Sequence, residues 1–137
     1  MAGLATKETN RNVMEFIETI ENPSKREDSK ILISVMQDIT GNEPKIWGDN
    51  HLIAFGKYKY KRKGGKEEFE WFNVGFAPRK TKLTVYLTFD ISRQGDLLEK
   101  LGKCKWGKGC LYINKLADVN LGVLKQLIEK SKDARWL

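Results

Sequence analysis

The residue types that most often perform catalysis are scarce in this chain. It contains one histidine, His51, and two cysteines, Cys104 and Cys110. A Ser–His–Asp or Cys–His arrangement would depend on that single imidazole, and a metal site built on a histidine pair is excluded. The cysteine spacing fits neither a CxxC redox motif nor half of a zinc ribbon, which predicts reduced thiols. The sequence therefore contains no recognisable catalytic constellation, and we expect no cofactor.

A phosphate-loop pattern occurs at residues 102–108. The string GKCKWGK satisfies GxxxxGK, but Gly109 stands where a Ser or Thr would hold magnesium. The segment also follows a predicted helix and precedes a predicted strand, whereas a phosphate loop runs from a strand into a helix. We expect no nucleotide hydrolysis here. Two roles stay open for Gly102, Gly107 and Gly109: an anion-binding nest of backbone amides beside the neighbouring lysines, or a turn from helix to strand.

A second pattern alternates aromatic and basic side chains. Residues 57–63 read KYKYKRK, and rings beside cations are typical of surfaces that stack single-stranded bases while contacting phosphates. In a strand, however, successive side chains point to opposite faces, so Tyr58 and Tyr60 would lie on one side and the lysines on the other. The pattern fits either a weak, sequence-independent nucleic-acid site on a basic hairpin or a solvated lysine face backed by tyrosines.

Carboxylates are concentrated on the first predicted helix. Glu15 and Glu18 stand on the face opposite its apolar residues, where their oxygens are suitable ligands for a hard cation. Arg11 and Lys25 lie near them in the sequence and would neutralise much of this charge. The alternative interpretation is an ordinary solvated helix face.

These residues must be positioned by helices at both ends of the chain and strands between them. Apolar residues at three- and four-residue spacing predict an N-terminal helical hairpin, and a period of two then predicts strands. The predicted helices are 11–21, 24–40, 93–101 and 120–132, and the predicted strands are 45–48, 51–60, 69–76, 83–89 and 110–114. The expected fold class is α+β, with an antiparallel sheet of about five strands, a short helix between the last two strands and a C-terminal helix.

The bulk composition indicates a folded, basic protein. The chain has 137 residues, 40% of them hydrophobic and 31% charged, with a net charge of +7. This length predicts a single domain over 1–137, and the positive charge favours anionic partners. No apolar run approaches the length of a membrane span, so we expect a cytoplasmic protein with no membrane partner. The terminal residues 135–137 are either a packed tail or a contact surface.

An ordered run of short blocks resembles a known family. The blocks are KIWG at 45–48, AFGKYKY at 54–60, GFAPRK at 75–80, LTVYL at 83–87, and LEKLGK at 98–103 through GKGCLYI at 107–113. Together they resemble the YdhG-like family, a domain of unknown function, over about residues 43–131, with the N-terminal helices packed on that region. The resemblance implies helices packed on one antiparallel sheet. Some relatives are labelled frataxin-like intracellular iron chaperones, which implies an iron-carrying role.

The preferred interpretation is a non-enzymatic binding protein for a small anionic ligand. We expect its pocket to lie between the sheet and the C-terminal segment, with three lysines converging beside aromatic walls. The predicted ligand-binding residues are Trp47, Tyr58, Lys80, Tyr86, Lys103 and Lys108. The alternatives are an iron chaperone with Glu15 and Glu18 as metal ligands, and a weak nucleic-acid binder acting through the basic hairpin.

Overall fold

The structure, a computed structural model, describes residues 9–48, 52–61, 64–66, 68–79 and 82–132. The helices in these ranges are α1 (Val13–Glu18), α2 (Pro23–Thr40), α3 (Gly95–Leu101) and α4 (Leu121–Lys132). The strands are β1 (Lys45–Trp47), β2 (Leu52–Phe55), β3 (Tyr58–Lys61), β4 (Glu68–Trp71), β5 (Val74–Pro78), β6 (Leu83–Tyr86), β7 (Lys105–Trp106) and β8 (Cys110–Ile113). The predicted α+β class is confirmed. Features of the sequence that lie outside the described residues are His51, Arg62, Lys63, Lys80 and residues 135–137.

The two N-terminal helices are capped by asparagines. The Asn22 side chain accepts hydrogen bonds from two backbone N–H groups of the first turn of α2, and Pro23 occupies the first position of that helix. Gly41 ends α2 in the left-handed conformation at φ 70°. Because Asn22 supplies the cap, α2 begins at Pro23, one residue before the predicted range 24–40.

The first helix is shorter than predicted. Asn12 caps its N-terminus, so α1 begins after that residue and does not fill the predicted range 11–21. Val13 and Ile17 are buried as predicted, whereas Met14 is half exposed. None of the helices in the described part of the chain is long and apolar enough to cross a membrane.

The main sheet has helices on one face. Its six strands lie in the order β1-β2-β5-β6-β8-β7, while β3 and β4 pair with each other. Buried side chains on one face of the main sheet pack with buried residues of all four helices into one core. Buried side chains on the opposite face belong to a separate cluster that contains no helix residue. We call the side of the sheet that carries this second cluster the helix-free face.

A long hairpin extends the middle of the sheet beyond its neighbours. Ala54 of β2 lies opposite Gly75 of β5, and Tyr58 of β3 lies opposite Trp71 of β4. Both strands advance by the same number of residues between these pairs, so β2–β3 and β4–β5 share one register. We call the β3–β4 part of this hairpin the arm. The Trp71 ring contacts Trp47 of the second cluster, so the side of the arm that carries Trp71 and its partner Tyr58 continues the helix-free face.

The hairpin is interrupted where the arm leaves the sheet. Gly56 has φ 77°, and a Cβ at this position would collide with the side chain of Asn73. A left-handed conformation and a close neighbour both favour glycine there. The strands predicted at 51–60 and 69–76 are each divided at this point, which accounts for part of the difference from the expected five strands.

Buried hydroxyl groups hold the base of the arm against the last helix. Ser131 Oγ donates to the backbone oxygen of Asn73 at 2.7 Å, and Thr88 Oγ1 donates to the same oxygen at 3.2 Å. The Thr88 backbone N–H donates to Ser131 Oγ at 2.9 Å. These bonds join α4, the residues after β6 and the arm at one buried point.

Candidate ligand-binding face

Aromatic rings cover the middle of the helix-free face. The Trp47 and Phe72 ring centroids are 5.5 Å apart, Trp71 stacks on Phe72 at 4.3 Å, and Phe72 meets Tyr86 edge-on at 6.2 Å. Alanines of β2 and β5 belong to the same cluster, and their small side chains leave room for the rings to lie on the sheet. We call these four aromatic residues the inner aromatic cluster.

Partly exposed rings follow the helix-free face from the main sheet into the arm. They are Tyr58, Tyr60, Trp71, Tyr86 and Tyr112, and we call them the ring row. The Tyr58 and Tyr60 centroids are 6.0 Å apart, and Trp71 lies opposite Tyr58 in the arm. Tyr112 is 39% exposed. The ring row therefore offers aromatic surface along the length of the hairpin and across β6 and β8.

Basic side chains border this face at the end of the sheet distant from the arm. Lys105 lies opposite Tyr112 on the helix-free face, and Lys103 lies in the bend that precedes β7. Arg79 and Lys82 flank the turn between β5 and β6, where the Arg79 N–H donates to the Lys82 oxygen at 2.8 Å. All four cations are exposed. We call Arg79, Lys82, Lys103 and Lys105 the basic rim.

A carboxylate, that of Glu70, lies on the other side of the arm. Glu70 lies opposite Lys59, and its Oε2 is 3.5 Å from Lys57 Nζ. The predicted separation of tyrosines from lysines is confirmed, so the basic side of the arm is not the side that carries its rings. Among the described strand positions of the helix-free face, by contrast, there is no Asp or Glu. At these described strand positions a ligand meets rings and cations.

The predicted ligand-binding residues do not converge on one pocket. Tyr58 and Tyr86 belong to the ring row, and Lys103 belongs to the basic rim. Trp47 is 1% exposed, so its ring supports the face from within the inner aromatic cluster and has almost no surface for a ligand. Lys80 lies outside the described residues.

Lys108 lies far from Lys103. Lys108 is in the turn after β7. A hydrogen bond from the Ser92 hydroxyl lowers the pKa of Asp90, and the Lys108 charge makes a smaller contribution in the same direction. Lys103 precedes β7, and its backbone N–H donates to the Asp118 oxygen at 3.1 Å. The predicted convergence of these two lysines is wrong, because β7 runs between them and places them at opposite ends of the β7–β8 hairpin.

The glycines beside these lysines turn the chain. The Gly107 N–H donates to the Cys110 oxygen at 2.9 Å, so this amide closes the hairpin turn. Gly102 has φ 114°, and a Cβ there would lie 2.8 Å from the Asp118 oxygen. The segment leaves α3 and enters β7 and β8, which is the order predicted for this GxxxxGK pattern. Of the two roles left open for the glycines, the turn is the one supported at Gly102 and Gly107.

The two carboxylates proposed as iron ligands have different surroundings. Glu18 forms an ion pair with Lys30, with Oε1 and Nζ 3.4 Å apart, and Glu15 is exposed on α1. Lys25 does not neutralise this helix face, because it is 7% exposed and its Nζ donates to the Asn114 oxygen at 2.7 Å. In the described part of the chain, no group of three or more His, Cys, Asp or Glu residues is arranged to hold a metal ion.

Three cavities lined by described residues lie away from the predicted ligand-binding set. One of about 420 Å³ lies between the start of α3 and α4, beside Arg93 and Lys130. Two others of about 370 Å³ share Arg11 near the start of α1. None of these three cavities includes a member of the ring row or of the basic rim.

Both cysteines are free thiols near the sheet edge. Burial raises the pKa of the Cys104 thiol. Burial also raises the pKa of the Cys110 thiol, and a hydrogen bond from Tyr112 partly offsets that increase. The nearby Cys110 charge in turn raises the pKa of Tyr112. At neutral pH these thiols are protonated and weakly nucleophilic.

Sequence reasoning missed several residues of this face. Trp71 was not singled out because its position opposite Tyr58 depends on the hairpin register, which periodicity alone does not give. Lys105 lies in a strand of two residues, too short to show a period. Arg79 and Lys82 had a usable signal, because they lie between the strands predicted at 69–76 and 83–89, and residues that connect two antiparallel strands lie at a sheet end.

The fold is also found in a solved structure. No protein-family model and no curated protein matches this chain. The chain is similar to the crystal structure of YdhG from Bacillus subtilis, a protein of the DUF1801 family, with a TM-score of 0.60 and 18% identity. The similarity covers 90% of this chain and 94% of that one. The resemblance to the YdhG-like family inferred from the sequence blocks is therefore confirmed at the level of the fold.

Proposed function

We propose that the protein is a non-enzymatic binding protein that takes a small anionic ligand on its helix-free face. The supporting observation is electrostatic: this face joins an exposed basic rim to partly exposed rings, with no carboxylate at its described strand positions. An anion at the rim gains charge-assisted hydrogen bonds from ammonium and guanidinium groups and meets no like charge on the face. Ligands that carry a phosphate or a carboxylate suit this arrangement.

The rings and cations supply binding groups without a catalytic one. The thiol nearest the ring row, Cys110, has a raised pKa and is protonated at neutral pH, so it is a poor nucleophile. The nearby Cys110 charge raises the pKa of the Tyr112 hydroxyl, which therefore stays protonated there. Binding without chemical conversion is the role that these groups perform best.

Calorimetry with a nucleoside monophosphate and with inorganic phosphate tests the proposal. The double variant Lys103→Ala/Lys105→Ala removes two cations from the basic rim, and we expect the dissociation constant to rise about tenfold, because two exposed charge contacts contribute about 1.4 kcal/mol together. The melting temperature of the free protein should be nearly unchanged, since exposed lysines contribute little to stability.

Two control variants separate the rim from general charge. Lys57→Ala/Lys59→Ala removes the same charge from the opposite side of the arm, and Lys108→Ala removes a lysine at the other end of the β7–β8 hairpin. Both should bind as the unmodified protein does. Equal losses in the rim variant and in the controls, or no binding by the unmodified protein, would contradict the proposal.

A further inference from the structure

We propose that the anionic ligand is a single strand of nucleic acid, about five nucleotides of which lie along the helix-free face. This inference rests on the proposed anionic-ligand site and extends it from one anion to a chain of phosphates and bases. The phosphates at one end of the strand would lie at the basic rim, and the bases that follow would stack on the ring row. The site differs from the basic hairpin considered in the sequence, because the lysine side of the arm takes no part.

The first step of the argument is that the rings share one side. Gly75 lies opposite Tyr86 in the main sheet, and the register of Gly75 continues through the interruption to Trp71. Trp71 also contacts the buried Trp47 of the helix-free face, with ring centroids 6.2 Å apart. The arm therefore presents Tyr58 on the same side as Tyr86, and one extended ligand can reach both.

The second step is the length of the row. Tyr86 lies four positions along its strand from Lys82, and Trp71 lies four positions from Gly75. Tyr60 lies two positions beyond Tyr58, the partner of Trp71 in the arm. At about 3.3 Å per residue, these ten positions extend about 33 Å from the Lys82 end of the basic rim to the Tyr60 end of the ring row. A mononucleotide covers a small part of that length, whereas nonspecific single-strand sites typically extend over about 4–16 nucleotides. A short strand of nucleic acid uses the whole row.

The third step is the distribution of charge. A flexible polyanion binds where cations can neutralise its phosphates and where rings can stack its bases, which the helix-free face offers together. The opposite side of the arm has lysines, but Glu70 is 3.5 Å from Lys57 there. The charge of the helix-free face thus fits a polyanion better than the alternating charges on the back of the arm do.

Fluorescence anisotropy with labelled oligonucleotides tests this inference in the full-length protein. The probes are oligo-uridylate and oligo-deoxythymidylate of one, three, five and ten nucleotides, with a ten-base-pair duplex for comparison. We expect affinity to rise with length up to about five nucleotides and the duplex to bind more weakly, because its bases are already stacked. Between 50 and 200 mM salt, binding of the ten-nucleotide probe should weaken about 20- to 50-fold if three or four phosphates are neutralised.

Matched substitutions separate stacking from charge. Tyr60→Ala and Tyr112→Ala each remove one ring of the ring row, and each should weaken ten-nucleotide binding about tenfold. Trp106→Ala removes a ring that is 46% exposed but lies opposite Leu111 on the other side of the sheet, and it should have no effect. Lys103→Ala/Lys105→Ala should reduce the slope of log affinity against log salt by about 1.4.

Each outcome decides between the two proposals. If a mononucleotide binds as tightly as ten nucleotides and the ring variants bind normally, the inference of a strand is overturned while the anion site stands. Equal binding of the duplex, or an equal loss in Lys57→Ala/Lys59→Ala, would also overturn it. If neither phosphate, mononucleotide nor oligonucleotide binds, both proposals fall. Length-dependent binding that is lost in the ring variants and retained in Trp106→Ala supports the inference.

Discussion

At the scale of single residues, burial changes the chemistry of groups that the sequence shows only as types. Trp47 and Tyr112 are both aromatic residues of strands, yet Trp47 is 1% exposed and Tyr112 is 39% exposed. The first fills the inner aromatic cluster and the second presents its ring to solvent. A substitution at Trp47 will therefore reduce stability, whereas one at Tyr112 will mainly reduce binding.

The thiols give a prediction that depends on pH. Burial raises the pKa of both Cys104 and Cys110, so less thiolate is present at pH 8 than in a free cysteine. We expect iodoacetamide to alkylate both residues more slowly in the folded protein than in the protein unfolded in urea, and the folded rate to increase as the pH rises toward 10. Mass spectrometry of tryptic peptides measures each site.

The sign of the effect on stability follows from the same pKa shifts. Each raised pKa means that the folded protein holds the thiol proton more tightly, so this contribution to stability is complete below the pKa of the unfolded thiol and decreases as the pH rises through the folded pKa. Rapid alkylation of either cysteine at pH 7, at the rate of the unfolded protein, would contradict the assignment.

At the scale of elements, the buried hydroxyl of Ser131 connects the last helix to the arm. It donates to the Asn73 oxygen and accepts from the Thr88 backbone N–H, and Ser131 is fully buried. In Ser131→Ala both backbone groups lose a partner, so we expect the free energy of unfolding to fall by about 1–3 kcal/mol. Urea denaturation measures this change.

A serine on a different helix provides the comparison for that variant. Ser34 is exposed on α2, and Ser34→Ala should change the free energy of unfolding by less than about 0.5 kcal/mol. A similar small change in both variants would show that the bonds at Asn73 and Thr88 are replaced by water. In that case the connection between α4 and the arm would not contribute to stability.

Local patterns predicted the long elements but not their connections. The stripe of Leu32, Val35 and Met36 identified α2, and all three residues are buried, because a helix repeats its contacts over many residues. The interruption at Gly56 was missed, since it arises from a side chain seventeen residues later, Asn73, and no local period records such a contact. Long elements were predictable because they repeat their contacts along the sequence, whereas short elements and nonlocal contacts leave no such repeat.

The candidate site was predictable only where strand alternation acted alone. The separation of Tyr58 from the lysines beside it followed from alternation and is confirmed. The grouping of Lys103 with Lys108 did not follow from any local rule, and the intervening strand β7 makes it wrong. Placing Tyr86 near Trp71 required the sheet order and the hairpin register, which bring together segments distant in the chain.

At the scale of the whole molecule, the sheet and the arm differ in how they are enclosed. β5 has strand neighbours on both sides and is buried along most of its length. β3 and β4 pair only with each other among the described strands, so one edge of each is without a strand partner. We expect backbone amides of the arm to exchange with deuterium at least about tenfold faster than those of β5, because local opening exposes them without global unfolding.

Hydrogen exchange followed by mass spectrometry or NMR tests that difference. If amides of the arm exchanged as slowly as those of β5, the arm would open only when the whole protein unfolds. The contact between Trp71 and Trp47 would then be holding the arm to the sheet. Addition of the ten-nucleotide probe should slow exchange in β3 and β4 if bases stack on the ring row. The core strands provide the internal reference, since their exchange should not change locally.

The shared register of the hairpin also determines which changes of length the fold tolerates. Adding or removing two residues on each side of the arm keeps every tyrosine on its side, because side chains repeat with a period of two. Adding a single residue to one strand alone exchanges the two sides of that strand beyond the insertion and would place rings where charges now lie. The arm can therefore become longer or shorter by matched pairs of residues in its two strands, while the six-stranded sheet and its helices stay unchanged.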